Sequence, residues 1–232
     1  MSSTRNEVLV AGGSGVLGTA VLRALLDAGY AVTATWLLDR EHEQTMATFS
    51  GADRLRLLKA DVTEAADVER VVAAMPHLGA VINLVGGYDA PGRVHETEPA
   101  QFEAMLRLNL LPGFLLARAT MARLAAAGGG AFVAVSARAA LRPFPGAAGY
   151  ITAKAALLAF IQALDAEYRD EGVRCNAILP GVIDTPANRQ NQPEADFSRW
   201  VDPDAIAAVT AFLISDAAAA VTGAAVPVYG SS

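Results

Sequence analysis

The stretch "VLVAGGSGVLG", residues 8–18, runs from a short apolar, β-branched segment through a cluster of glycines into an amphipathic segment. Residues 8–11 read as a strand, Gly12, Gly13, Gly15 and Gly18 as a tight turn, and 16–28 as a helix. The glycines satisfy two spacings at once: G-x-G-x-x-G through Gly13, Gly15 and Gly18, and G-x-x-G-x-x-G through Gly12, Gly15 and Gly18. Such a turn lets backbone approach a pyrophosphate and offers it the free N–H groups of a helix start, which glycine allows without steric cost. An ordinary glycine-rich βα turn would show the same letters, so the rest of the chain has to separate the two readings.

Downstream, the same alternation repeats. Further strands are expected at 31–36, 55–59, 80–85, 131–136, 173–179 and 225–229, and further helices at 40–49, 64–75, 99–126, 147–171 and 203–215. Nearly continuous apolar strands alternating with helices predict a single α/β domain over 1–232, a doubly wound parallel sheet of about seven strands covered on both faces. Residues 1–6 read as a short tail. Asp202-Pro203 reads as the cap and first position of the last helix. The least periodic stretch, "DTPANRQNQPEADFSRWVD" at 184–202, is polar and proline-rich, and reads as a substrate loop or lid.

Composition narrows the function. The chain is 53% hydrophobic and 18% charged, which suits a sheet buried on both faces or a subunit of an oligomer. Net charge is −6 without a Lys/Arg cluster, so neither nucleic acid nor an anionic membrane is an expected partner. One cysteine, Cys175, excludes an intrachain disulfide and a cysteine-based zinc site, and it follows the pattern of a buried strand residue. His42, His77 and His95 show no metal-ligand spacing, and no metal is expected. With no apolar leader and no membrane-length apolar run, the expected location is cytoplasmic.

A second stretch carries chemistry. "GAAGYITAKAAL", residues 146–157, places Tyr150 and one of only two lysines, Lys154, four residues apart on one helical face. At the end of the second strand, where an acid would accept hydrogen bonds from an adenosine ribose, the chain has Trp36. Losing that acid removes repulsion against a 2′-phosphate, and Arg40 could reach one. NADP(H) is therefore expected over NAD(H), although Asp39 bending back toward the ribose would restore NAD(H).

With these pieces in order, "GGSGVLG" (12–18), "ADV" (60–62), "INLVGG" (82–87), Asn109 in "LNLL", "VSARAA" (135–140), "YITAK" (150–154) and "NAILPGVIDTP" (176–186), the chain resembles the short-chain dehydrogenase/reductase family over nearly its whole length. The resemblance implies a Rossmann-like fold and reversible hydride transfer between a nicotinamide and a carbonyl or secondary alcohol. It makes Tyr150 the general acid/base, Lys154 the cation that favours its phenolate and binds the nicotinamide ribose, and Ser136 the group that polarises the substrate carbonyl. Asn109, inside the long fourth helix, would hold a relay water. Cofactor contacts are implied for Gly12, Gly13, Ser14, Gly15, Val16, Leu17 and Gly18, for Trp36 and Arg40, and for Asp61 (at the adenine amino group), Val62, Asn83 (bracing backbone) and Gly86. Pro180, Gly181 and Thr185 would meet the nicotinamide side. A homotetramer or dimer through the two long helices is implied as well. Phe197 and Trp200 are either a lid over substrate or a satellite core.

The chain departs from the commonest form of this family's turn, since Val16 holds the place of the second glycine and Gly15 sits one earlier. The segment 184–200 resembles the carboxyl-terminal part of dihydropteridine reductase, through Asp184-Thr185-Pro186, Asn188-Arg189, Pro193, Ser198 and Trp200. That enzyme lacks the active-site serine and carries an acid where Trp36 stands. Retention of Ser136 favours a small ketone or 3-oxoacyl-like substrate, with quinonoid dihydropteridine reductase activity as the alternative. A non-catalytic nucleotide sensor is a third reading, against which Tyr150, Lys154 and Ser136 all stand.

Overall fold

Seven parallel strands form one sheet in the order β3-β2-β1-β4-β5-β6-β7 in the computed structural model, which describes residues 7–231. The strands are β1 (Glu7–Ala11), β2 (Ala31–Trp36), β3 (Leu55–Lys59), β4 (Leu78–Asn83), β5 (Gly130–Val135), β6 (Val173–Pro180) and β7 (Ala225–Val228). The expected tail at 1–6 lies outside the described residues. Around the sheet run α1 (Val16–Asp27), α2 (Asp39–Thr48), α3 (Ala65–Ala73), α4 (Pro99–Asn109), α5 (Leu111–Ala126), α6 (Ala148–Tyr168), α7 (Pro186–Asn191) and α8 (Pro203–Ile214). The α/β, doubly wound fold expected from the sequence is the one observed.

Both faces of the sheet are dry. Successive residues of a strand point to opposite sides, so Leu9 and Ala11 join one core with Val68, Met121, Leu157 and Phe132. Val8 and Val10 join the other with Leu22, Leu25, Ile206 and Leu213. This two-sided burial is why the inner strands carry no polar alternation. Pro227, which cannot donate to a ladder, sits in the edge strand β7, where a missing donor does least harm. The order reverses between β1 and β4, and the crevice above their carboxyl ends is where such sheets build their sites.

Two expectations need correction. The helix expected at 99–126 is two helices with a break at Leu110 (φ −112°, ψ −48°). Pro112 has no N–H to continue the ladder and its ring crowds the preceding turn, so the chain bends just before it. Asn109 therefore sits at the end of α4 rather than inside a long helix. The fourth strand ends at Asn83 rather than at 85, because the Asn83 side-chain oxygen accepts the Val85 N–H at 3.1 Å and turns the chain out of the sheet.

The segment 184–202 is also more ordered than its composition suggests. It contains α7 and a 3₁₀ turn at Phe197–Arg199, and a parallel bridge between Ile183 and Val201 closes its base. Thr185 caps α7 by accepting the Asn188 N–H at 3.2 Å, and Asp202 caps α8 by accepting the Asp204 N–H at 2.8 Å. Among the described residues, no helix is long and apolar enough to cross a membrane.

Candidate active site

The glycine turn after β1 is shaped by close approach. Gly12 has φ +80°, a conformation that L side chains rarely adopt. A Cβ on Gly18 would lie 2.4 Å from the Gly13 carbonyl oxygen, so the start of α1 can pack on the turn only without a side chain there. Gly15 differs: a Cβ built on it meets nothing within 4 Å. No contact within the protein demands glycine at that position, and α1 begins there with no side-chain cap on its N–H groups. That open, uncapped helix start fits the pyrophosphate of a dinucleotide. Val16 is 47% exposed beside it, whereas Leu17 packs toward the core. Ser14 Oγ donates to Glu41 Oε2 at 2.9 Å, tying the turn to α2.

Next along the crevice is the end of β2. The Trp36 ring stacks on His42 (4.4 Å between centroids), with Lys59 Nζ 4.8 Å from its centroid on β3. Trp36 Nε1 is buried and lacks a hydrogen-bond partner. The Asp39 carboxylate accepts from Lys59 Nζ at 2.8 Å, and this hydrogen bond holds its pKa below the usual value. Arg40 is exposed in the first turn of α2. The Asp61 Oδ1 accepts from both the N–H and the hydroxyl of Thr63, at 2.9 and 2.7 Å. The Val62 side chain is buried in the core, which leaves only its backbone for a ligand.

On the other side of the switch point, β4 leads to Gly86 and Gly87. A Cβ on Gly86 would fall 2.7 Å from both Asn109 Oδ1 and Lys154 Nζ, so Gly86 leaves room for two buried polar groups. Asn109 is fully buried; its Oδ1 accepts the Gly87 N–H at 3.1 Å and its Nδ2 donates to the Met105 carbonyl at 3.1 Å. Asn83 Nδ2 is buried without a partner.

Ser136 follows β5, held there because its N–H donates to the Ile178 carbonyl at 2.8 Å. Its Oγ donates to the Lys154 carbonyl at 2.7 Å, and Lys154 Nζ donates to the Val135 carbonyl at 3.0 Å. Those two bonds lock α6 against the end of β5. Tyr150, one turn before Lys154, packs edge-on against Tyr88 (5.1 Å, 83°). Ser136 and Tyr150 open onto a cleft of about 480 Å³ that is lined also by Pro180, Gly181 and Asn188 of α7. Phe197 and Trp200 pack on each other at 4.7 Å, away from the cleft lining, as a satellite cluster.

Electrostatics in this corner are ruled by burial. Desolvation, and then Tyr88, push the Tyr150 phenol up to about 12. Burial pushes Lys154 down to about 8. The expectation that the lysine holds the phenol below its ordinary value is not met within the protein by itself. Nζ is bonded to Val135 and lies 6.0 Å from the Tyr150 ring centroid, too far to offset desolvation. The Cys175 thiol is likewise pushed up to about 12 by burial in β6, which leaves it inert.

A family model described as enoyl-(acyl carrier protein) reductase matches residues 11–230. The chain belongs to the short-chain dehydrogenase/reductase family. It is 34% identical to 2-(R)-hydroxypropyl-CoM dehydrogenase of Xanthobacter autotrophicus over 80% of this chain and 78% of that protein. It is 30% identical to acetoacetyl-CoA reductase of Shinella zoogloeoides over 96% of each. Levodione reductase superposes with a TM-score of 0.90 at 27% identity, over 98% of this chain and 97% of that structure. As a member of the family, the protein is an NAD(P)-dependent oxidoreductase acting between carbonyl and alcohol.

The structure brings Ser136, Tyr150, Lys154 and Asn109 into one corner, and sets the glycine turn, Trp36 and Asp61 along one crevice. Five further residues line these surfaces without having been singled out from sequence: Tyr88, Lys59, Glu41, Arg138 and Arg142. Tyr88 follows directly on "INLVGG", and the arginines sit two and six residues after Ser136, so a signal was present.

Proposed function

We propose that the cleft reduces a small ketone or oxoacyl compound, with Tyr150 as the proton donor. The observation that carries this is the meeting of Ser136 and Tyr150 on one cleft, with Lys154 hydrogen-bonded to Ser136 through its carbonyl directly behind them. When bound, the nicotinamide cofactor supplies or accepts the hydride. A phenol pushed up to about 12 is fully protonated at neutral pH, so Tyr150 stands ready as an acid. Once it has given its proton, the phenolate left behind is stabilised by the Lys154 ammonium. Ser136 polarises the carbonyl by turning its hydroxyl from the Lys154 carbonyl to the substrate, exchanging one hydrogen bond for another. Asn109 keeps Gly87 and α4 in place around the lysine; the relay water belongs to this reading too. Pro180, Gly181 and Thr185 border the nicotinamide side.

NADP(H) is the preferred cofactor in this reading. Asp39 is occupied by Lys59, whose Nζ stands 4.8 Å from the Trp36 ring, and Arg40 is exposed next to Asp39 on α2; these two cations would receive a 2′-phosphate. The protein is read as a cytoplasmic homo-oligomer, a tetramer or dimer. The exposed Phe114, paired with Phe160 at 6.1 Å in an apolar groove between α4, α5 and α6, supports assembly through those helices.

Titration followed by Trp36 fluorescence, with ketone-dependent NADPH consumption in the same samples, tests the reading. NADPH is expected to bind at least tenfold tighter than NADH, about 1.4 kcal/mol. Tighter NADH binding would assign Asp39 or Glu41 to the ribose instead, and absence of turnover on every ketone would remove the reductase reading.

A further inference from the structure

Three of the large apolar side chains that the protein leaves in water share one place. Tyr88 is 56% exposed, Phe144 43% and Val182 38%, and all three line the cleft onto which Ser136 and Tyr150 open. Apolar side chains scattered singly over a surface mean little, but a group of them gathered in a concave site is what a ligand covers. Polar side chains line the cleft as well, Arg142, Asn188 and Gln192 among them, and water serves these well. It does not serve the aromatic rings. Both rings stand on backbone that is held. Tyr88 directly follows Gly87, whose N–H donates to Asn109 Oδ1 at 3.1 Å and where a Cβ would lie 2.5 Å from Leu108, so the chain is pressed against α4 up to that point. Phe144 sits between Pro143 and Pro145; the first has a fixed φ, and the second confines Phe144 itself to extended backbone. The Gly92 N–H donates to the Gly146 carbonyl at 3.3 Å, which joins the segment after Tyr88 to the segment after Phe144.

We infer that Tyr88 and Phe144 form an aromatic subsite, and that the substrate is a carbonyl compound bearing a flat unsaturated ring within a few bonds of its C=O. This rests on the proposed reduction at Ser136 and Tyr150 and adds the class of molecule reduced. The Tyr88 ring centre is 5.1 Å from that of Tyr150, so a group attached close to a carbonyl held by the Tyr150 hydroxyl comes within reach of Tyr88. The two rings stand at 83° to each other. A flat ring lying along the face of one therefore meets the other edge-on, and these are the two arrangements that aromatic quadrupoles favour. A saturated ring of the same carbon count covers similar apolar area but gains neither arrangement. A cleft of about 480 Å³ has the size of a small-molecule site.

The test keeps the carbonyl and changes the ring. Phenylacetone and cyclohexylacetone have the same carbon skeleton, and a methylene insulates the carbonyl from the ring in both, so their intrinsic reactivities are close. In wild type, kcat/KM is expected to favour the phenyl compound about tenfold, chiefly through KM, the upper scale of aromatic pairing beyond area burial. That ratio is expected to collapse toward one in Tyr88→Ala, to fall to about threefold in Phe144→Ala, and to return in Tyr88→Phe, which keeps the ring. Both ketones are assayed on one preparation, so a loss of folded protein lowers both rates and leaves the ratio unchanged. Equal use of the two ketones by wild type, or a phenyl preference that survives in both alanine variants, would overturn the subsite. So would a Tyr88→Phe variant without the preference, since the hydroxyl and not the ring would then be selecting. Calorimetric titration of the same two ketones into the protein loaded with oxidised cofactor gives a second readout. Tighter binding of phenylacetone that Tyr88→Ala abolishes, in a protein that reduces neither ketone, would uphold the subsite while removing the reductase reading. Turnover of both ketones with equal kcat/KM would do the reverse.

Discussion

Tyr150→Phe is expected to lower kcat for ketone reduction about 10³-fold, with cofactor affinity within about threefold of wild type. The substitution removes one oxygen and keeps the ring, so the edge contact with Tyr88 and the cleft wall persist. Loss of rate therefore reports the proton rather than the fold. The pH profile separates the roles further. The phenol, pushed up to about 12, holds its proton throughout the neutral range, whereas Lys154, pushed down to about 8, does not hold its own far above that point. Wild-type reduction should thus decline as pH rises through about 8, and the residual rate of the phenylalanine variant should be insensitive there. A wild-type rate that climbs with pH across this window would mean that the phenolate is the working form.

Much of this site could be read from the chain before any coordinates. The strands were legible because a parallel sheet buried on both faces leaves unbroken apolar runs, as in 8–11 and 173–179, flanked by glycine and helical periodicity. Tyr150 and Lys154 were legible because a lone lysine on an alanine-rich helix has little reason to be there except chemistry. What was hidden depends on contacts between distant residues. The break at Leu110 was masked by apolar residues on both sides of Pro112, Leu110 and Leu111 before it and Phe114, Leu115 and Leu116 after it, where only the lost N–H of one residue interrupts the ladder. The order of 184–202 comes from a bridge of Ile183 to Val201 and from caps by Thr185 and Asp196, none of which has a periodic signature. The capture of Asp39 by Lys59 joins residues on α2 and β3, a neighbourhood created by the sheet order. The direction of the Tyr150 pKa was missed for a related reason: helical spacing gives proximity to a cation, but only the packed structure shows that burial outweighs it.

Lys154→Met is the second change with a large expected effect, and its two consequences run in opposite directions. Activity should fall by about 10³-fold or more, since the group that stabilises the Tyr150 phenolate is gone. Stability of the cofactor-free protein at neutral pH should hold or rise. Burial lowers the lysine from 10.5 to about 8, and that shift corresponds to a penalty of about 3 kcal/mol for carrying the charged form in the fold. Below about pH 8 both folded and unfolded chains bind the proton and the full penalty is present. Between about 8 and 10.5 the unfolded chain binds more protons than the folded one, so wild-type stability rises with pH in that window. Methionine removes the penalty and the slope together. Against this, the Val135 carbonyl loses its donor, at a cost of about 1–3 kcal/mol. The expected net result is a variant between equal to wild type and about 2 kcal/mol more stable at neutral pH. Its denaturant midpoint should no longer increase from pH 8 to 10.5, the interval set by the Lys154 shift. A variant several kcal/mol less stable, with the wild-type slope intact, would show that Lys154 is not the buried titrating group.

Deuterium tracing addresses the reaction itself. NADPH deuterated at the nicotinamide carbon that bears the transferred hydrogen is incubated with the purified protein and phenylacetone, and the product is examined by mass spectrometry and NMR. Deuterium at the carbinol carbon, on one stereochemical face only and absent with Tyr150→Phe, is the expected outcome for hydride transfer within the Ser136–Tyr150 cleft. Cofactor that binds but leaves no label in the product would contradict reduction at this site.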